Sequence, residues 1–340
     1  MSWFVLTLIC MLGWGLADLF YKKSNTDGDR YSHLKTAVWV GLMMGVVSLI
    51  LTVLSLLRNQ GVAIPENLAS ETLFTAENSF FESAVKYLPA SLGYIISMVI
   101  GYAGMRYLEV SIVSPIHNAS GAFAAIAMFI YFSVTGSINS FWEEFSVLQV
   151  VGTVFIVAGV IALGIVEQKL AKAEGSLNLP KEDRKYRYGA LALLFPILYC
   201  VFDTIGTAAD GIILDEESGL GLGEIDVLIL YGFTFFLAAV VAWIFLWAKE
   251  KKAYNPFARP EWKTRFPAAV FEQFGQIFYV YALAANPIVA TPMIGSYCIV
   301  SAILSHIFLK EKLKAGQYAC IAAVIVGIVM MGVADGLAEA

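Results

Sequence analysis

Charge is what this chain of 340 residues has least of. Asp, Glu, Lys and Arg together make up 14% of it and apolar residues 59%, whereas an ordinary soluble domain is about 25% charged. So few charges cannot cover so much apolar surface, and those present stand in clusters between long apolar runs. A soluble enzyme, a nucleic-acid binder and a secreted disulfide scaffold are excluded on that ground. With a mean hydropathy of +0.73, the chain reads as an all-α integral membrane protein. Cysteine is scarce as well. Cys10, Cys200, Cys298 and Cys320 all fall inside apolar runs, at spacings that fit neither a metal site nor a disulfide framework, so they read as small core residues. No phosphate-binding loop, His-Glu-x-x-His pair or serine nucleophile elbow occurs. The expectation is therefore no catalytic residue, no metal and no cofactor. Asn118-Ala119-Ser120 matches the glycosylation pattern but lies within an apolar run.

What the chain does have is hydrophobic length. A span takes about 20 mostly apolar residues, and ten such stretches occur: 3–21, 34–57, 87–108, 110–134, 145–166, 188–209, 225–248, 265–284, 288–309 and 313–334. They must be helices, because lipid offers backbone polar groups no water to bond; the short alternating segments of a membrane barrel are missing. The first stretch reads as a span and not a cleaved signal, since it lacks a basic start and carries Trp14, Asp18 and Phe20 where cleavage would fall.

Basic residues are distributed unevenly between the connections. Twenty of the 22 Lys and Arg lie on one side, in Lys22–Lys35, at Arg106, and in Lys169–Arg187, Lys249–Arg265 and Lys310–Lys314; only Arg58 and Lys86 lie opposite. The opposite side is acidic, with Glu66, Glu71, Glu77 and Glu82 in one loop and Asp215, Glu216, Glu217 and Glu224 in another. This bias puts the basic loops in the cytoplasm and both termini outside. Short loops suit a bacterial cytoplasmic membrane.

The two halves match each other in order. Trp14 precedes Asp18 by four residues as Tyr199 precedes Asp203; Ser114-Pro115 answers Thr291-Pro292; Glu143…Gln149…Gly159 answers Glu311…Gln317…Gly327. Five spans per repeat is an odd number, so the second copy must be inverted, as in secondary transporters whose site lies at the midplane between repeats.

Taken together, the ten spans, the Trp14-Gly15 opening, the Pro115 and Pro292 helices and the closing Phe308-Leu309-Lys310-Glu311-Lys312-Leu313…Gln317…Gly327 resemble the drug/metabolite transporter superfamily, EamA type. The resemblance covers nearly the whole chain and is strongest in 278–334. It implies a first EamA-like five-helix repeat at 1–167, a cytoplasmic connection at 168–187 and a second repeat at 188–340. It also implies alternating access with translocation between the halves, but names no substrate. The 58–86 loop is longer than the pattern requires, with room for an interfacial helix, and Glu143-Glu144 lacks the basic neighbours of Glu311.

An ionisable residue inside a span is a functional candidate by default. The sequence offers Asp18, Asp203 and Glu272 with His117 and His306, and no Lys or Arg well inside a span. Carboxylates without basic partners must be protonated, hold a cation or face water. A phosphate-bearing substrate would call for Arg or Lys, so a proton or an amine fits better. Asp18 reads either as a gating carboxylate or as a helix-end group paired with Lys22. Asp203 reads either as a site residue or as a group satisfied by Thr204 and Thr207. Glu272 is the deepest and shares a helix face with Gln276 and Tyr279; the alternative for it is an interhelical hydrogen bond.

Trp14, Tyr94, Tyr199, Phe202, Tyr279 and Tyr297 are candidates for a cation cage, or for ordinary helix contacts. His117 and Asn118 follow Pro115; the histidine reads as a proton relay or as a packing residue, while His306 reads as interfacial. Gly41, Gly45, Gly101, Gly104, Gly152 and Gly159 read as close helix contacts.

The expected function is a secondary transporter of a small amine-bearing or cationic metabolite, optionally proton-coupled, with a cavity between spans 1–4 and 6–9. Spans five and ten would then be supports or a homo-oligomer contact. The expected partners are a small-molecule substrate, a proton and the lipid bilayer, with no nucleic acid. One rival is carriage of a neutral or zwitterionic solute such as an amino acid. A remoter rival is a membrane-embedded lipid-modifying enzyme or lipid-carrier subunit.

Overall fold

The computed structural model describes residues 1–24, 29, 31–70, 72–74, 80–104, 117, 119–138, 140–173, 194–215, 222–251, 254–308, 310 and 313–338. Within them the chain is helical, and the ten expected spans correspond to ten helical segments. These are α1 (Trp3–Ser24), α2 (Ser32–Asn59), α3 (Phe80–Gly104), α4 (Ser120–Thr135) and α5 (Val147–Ala173). They continue with α6 (Leu194–Leu214), α7 (Glu224–Glu250), α8 (Arg265–Ala285), α9 (Pro287–Phe308) and α10 (Ala315–Ala338). Eight are long and apolar enough to cross a membrane. The other two are α4, with 16 described residues, and α8, whose apolar run is diluted by Glu272, Gln273 and Gln276.

Three boundaries depart from the expectation in ways that matter. The sixth helix continues to Leu214, five residues past the expected end. In the long loop the described residues hold no interfacial helix; they form a single 3-10 turn at Glu66–Leu68 before α3 starts at Phe80. The ninth helix is broken into Pro287–Gly295 and Tyr297–Phe308. Pro292 has no N–H to donate within the first piece, and at the junction the Ser296 N–H reaches Met293 O at 3.0 Å.

Each of the five main packing pairs joins the first half of the chain to the second: α1 with α8, α2 with α7, α3 with α6, α4 with the first piece of α9, and α5 with α10. Glycine makes the close approaches possible, since only a residue without Cβ lets two backbones come this near. A Cβ on Gly41 would strike Phe235 and Ala239 of α7, and one on Gly232 would strike Met44 and Ser48 of α2. One constant shift in numbering carries 41, 44 and 48 onto 232, 235 and 239. The α5–α10 seam behaves likewise. Gly159 meets Cys320 and Val324, Gly327 meets Gly152 and Ile156, and a single shift again exchanges the two sets. Outward, rows such as Val46, Leu49, Ile50 and Val53 on α2 and Ile325, Val329 and Val333 on α10 are exposed, as lipid-facing surfaces are.

The two ends of the helix bundle are closed differently. At the basic end, the Arg265 guanidinium donates to both Glu261 carboxylate oxygens, at 2.8 and 2.7 Å, and to Ser24 O and Ser32 Oγ at 3.2 and 2.8 Å. Lys35 pairs with Asp29 and Glu250, both at 3.0 Å, and the Tyr254 hydroxyl donates to Glu261 at 2.9 Å. Ser24, Ser32 and Lys35 belong to the first half, Glu250, Glu261 and Arg265 to the second, so this network ties the halves together. At the acidic end, Thr72 donates to Asp226, and the interior is filled by Leu73, Tyr87, Leu214, Leu230 and Leu283.

Candidate functional site

Between the halves lies a cavity of about 270 Å³, lined from α1, α3, α4, α6, α7, α8 and the broken stretch of α9. Among the described residues neither α5 nor α10 contributes to it, nor does α2. Of the residues singled out in the sequence, Trp14, Asp18, Tyr94, His117, Tyr199, Asp203, Glu272, Gln276 and Tyr279 line it. Asn118 lies outside the described residues. Tyr297 also lines the cavity and Phe202 does not. His306 stands away from it near the end of α9, 3.5 Å from the Tyr318 hydroxyl.

The carboxylates are held by hydroxyls. Asp203 accepts from Ser120 Oγ at 2.6 Å and from Ser97 Oγ at 3.5 Å. It is not satisfied by Thr204 and Thr207, the alternative weighed in the sequence. Thr204 donates to Ser120 O, and Thr207, one turn from Asp203 and lining the same cavity, accepts from Tyr94. Asp18 accepts from Ser301 Oγ at 2.7 Å. An α1 aspartate held by an α9 serine thus mirrors an α6 aspartate held by an α4 serine. Glu272 accepts from the Tyr21 hydroxyl at 3.2 Å and lies within electrostatic range of Asp18. Among the described residues no Lys or Arg lines the cavity. Ser120, Ser97, Ser301 and Tyr21 were not singled out beforehand; a serine or tyrosine gives no sequence signal until its carboxylate partner is known.

The walls are aromatic. Trp14 packs against Tyr279, with ring centroids 5.2 Å apart, and edge-on against Tyr297 at 5.6 Å. Tyr94 bonds Tyr279 hydroxyl to hydroxyl and crosses Tyr231 at 5.7 Å. His117 stacks on Tyr199 at 3.6 Å. The two repeat-matched aromatics are seated alike, for Trp14 lies against Gly275 of α8 and Tyr199 against Gly101 of α3. Among the described residues, three buried nitrogens at the cavity wall have no hydrogen-bond partner: Trp14 Nε1, Gln276 Nε2 and His117 Nε2. Buried polar atoms are ordinarily satisfied, so these are groups available to a solute.

Residues 218–333 match the model of the EamA-like transporter family. That segment of the chain is EamA-like. That family, within the drug/metabolite transporter superfamily, consists of membrane transporters of small solutes, and the apolar helices make this chain a multi-pass membrane protein. The EamA-like segment includes α7 to α9 and most of α10, and it supplies Glu272, Gln276 and Tyr279 to the cavity. No curated protein matches the chain. A solved structure titled only as a crystal structure of a protein is similar over 99% of both chains, with a TM-score of 0.61 and 12% identity. At that identity the likeness concerns the fold alone.

Proposed function

We propose that this protein is a proton-coupled secondary transporter that moves a small amine-bearing or cationic metabolite by alternating access. Two inverted five-helix repeats, 1–167 and 188–340, would enclose the site. The exchange of glycine contacts across α2–α7 and α5–α10, and the paired Asp–Ser bonds, support the repeats. The observation that carries the substrate class is the make-up of the cavity: Asp18, Asp203 and Glu272 inside aromatic walls, without a lining cation among the described residues. Carboxylates supply the counter-charge for an ammonium group and ring faces attract its positive surface. Glu272 is the substrate carboxylate in this reading, Asp203 the second contact, and Asp18 the group toward the basic end. Basic loops face the cytoplasm.

A second reading has its own support. Among the described residues Trp14 Nε1 and Gln276 Nε2 are unbonded N–H donors in the cavity that Glu272 also lines, and an amino acid would set its ammonium on Glu272 and its carboxylate on these donors.

The test is thermal stability of the purified protein with choline, tetramethylammonium or alanine, at about pH 6 and about pH 8, since a ligand that binds the native state raises its stability. Choline or tetramethylammonium should stabilise more at the higher pH, where protons compete less, and Glu272→Gln should abolish the shift. Stabilisation by alanine alone favours the second reading. Stabilisation untouched by Glu272→Gln removes Glu272 from the site.

A further inference from the structure

One buried carboxylate has no part in the cavity just described. Asp210 lies on α6 between two hollows. Asp203 and Thr207 of the same helix line the central cavity, while Ile213 and Leu214 line a second pocket of about 260 Å³ at the acidic end, together with Asp215, Glu224 and Ala284. At 1.5 Å of rise per residue, Asp210 stands about 4.5 Å along the helix from each. The partition between the hollows is therefore about one turn thick on either side of this residue.

Its surroundings are unusual for a carboxylate. Asp210 is fully buried. The hydroxyls of Tyr87 and Tyr94 from α3 and Tyr279 from α8 surround it, at positions outside regular hydrogen-bond geometry. Tyr231 of α7 lies within electrostatic range. The neighbouring Gly211 abuts Met128 of α4 and Pro287 of α9, which bring no charge. Among the described residues no Lys or Arg forms an ion pair with Asp210. In a low-dielectric setting a bare carboxylate is too costly, and the group takes up a proton instead. Two of its three tyrosines, Tyr94 and Tyr279, line the central cavity and are bonded to each other, and Tyr94 also donates to Thr207 at 3.1 Å.

We propose that Asp210 is an exchangeable-proton site, connected to the central cavity through the Tyr94 and Tyr279 hydroxyls and lying one helical turn from the acidic-end pocket. A proton leaves Asp210 for a tyrosine hydroxyl oxygen as that hydroxyl passes its own proton to cavity water, so no tyrosinate remains. The proton that drives accumulation is thereby carried on Asp210, while Glu272 holds the solute. The inference rests on the transporter reading for its purpose, but the site itself can be read without any solute.

The experiment is infrared difference spectroscopy of the full-length purified protein, titrated from about pH 5 to about pH 9 across the ordinary carboxyl range and beyond. Wild type should keep a carboxylic-acid C=O band at neutral pH. Asp210→Asn should lose a component of that band which Glu272→Gln retains. An Asp210→Asn spectrum like wild type overturns the site, and so does a band that sodium ions abolish at constant pH. Should Asp210→Asn fail to fold, Tyr94→Phe serves instead. It should slow the deuterium shift of the band several-fold, and an unchanged exchange rate overturns the tyrosine connection. In proteoliposomes with tetramethylammonium, Asp210→Asn should keep solute exchange and lose accumulation driven by a pH gradient; gradient-driven accumulation equal to wild type overturns the coupling role. If wild type carries no amine while the band behaves as expected, the substrate reading fails and the proton site stands.

Discussion

The basic and acidic ends close the same cavity by opposite means. At the basic end, charges of both signs are paired across the two halves, with Arg265 held by Glu261, Ser24 and Ser32, and Lys35 by Asp29 and Glu250. At the acidic end the partition is tyrosine and aliphatic side chains around one carboxylate, Asp210. Ion pairs separate into water without a change in protonation, because water rehydrates both partners. Opening the acidic partition instead brings water to Asp210, whose charge depends on its proton. Closure of the acidic end therefore turns on the proton of a carboxylate, and closure of the basic end on paired charges.

The sharpest way to break this contrast is at Arg265. Replacing it by Met leaves Glu261 buried without its partner and should lower stability by about 3–5 kcal/mol. The double variant Glu261→Gln with Arg265→Met should recover most of that loss in denaturant unfolding. A single variant as stable as wild type would mean that the basic end is not held by this pair. Next in size is the seam between α2 and α7. Gly41→Val and Gly232→Val should each cost about 1–3 kcal/mol through overpacking, and by similar amounts because their surroundings exchange; widely unequal costs would break the internal symmetry. At the acidic end Tyr87→Phe removes one hydroxyl facing Asp210 and should change stability by about 1 kcal/mol or less, leaving amine-induced stabilisation as it was.

Smallest is the alkaline response of Tyr254, outside the spans. Burial first, and Glu261 beside it second, push its phenol above the ordinary value. A raised folded value means the native state holds the proton more tightly. Its contribution is complete below about pH 10, the unfolded value, and is lost as pH climbs past it. Tyr254→Phe should flatten that alkaline decline in a stability titration.

Much of the membrane body was legible because long apolar runs leave few alternatives to helix. The cavity carboxylates were legible for a related reason: within an apolar run, Asp18, Asp203 and Glu272 are conspicuous. Asp210 was not, because Asp210-Gly211 reads as the end of a span; a carboxylate and a glycine both weaken a membrane helix. Packing overrides that preference here, with Gly211 set against Met128 and Pro287 and the helix running on to Leu214. Arg265 entered only the tally of basic loop residues and Glu261 went unremarked, although their spacing of four was a signal for a helical pair. The serines that hold Asp18 and Asp203 could not be read locally, since each lies more than 80 residues from its partner in the chain.

The α5–α10 seam has a consequence for how the chain could be assembled. Gly152 and Gly159 on one side, and Gly327 on the other, fit only against each other, and a half lacking its mate would present that groove to lipid tails. Two polypeptides, one ending after α5 and the other beginning before α6, are expected to find each other in a bilayer and rebuild the cavity when co-expressed. A continuous backbone between them would then be a convenience of synthesis and not a requirement of the architecture.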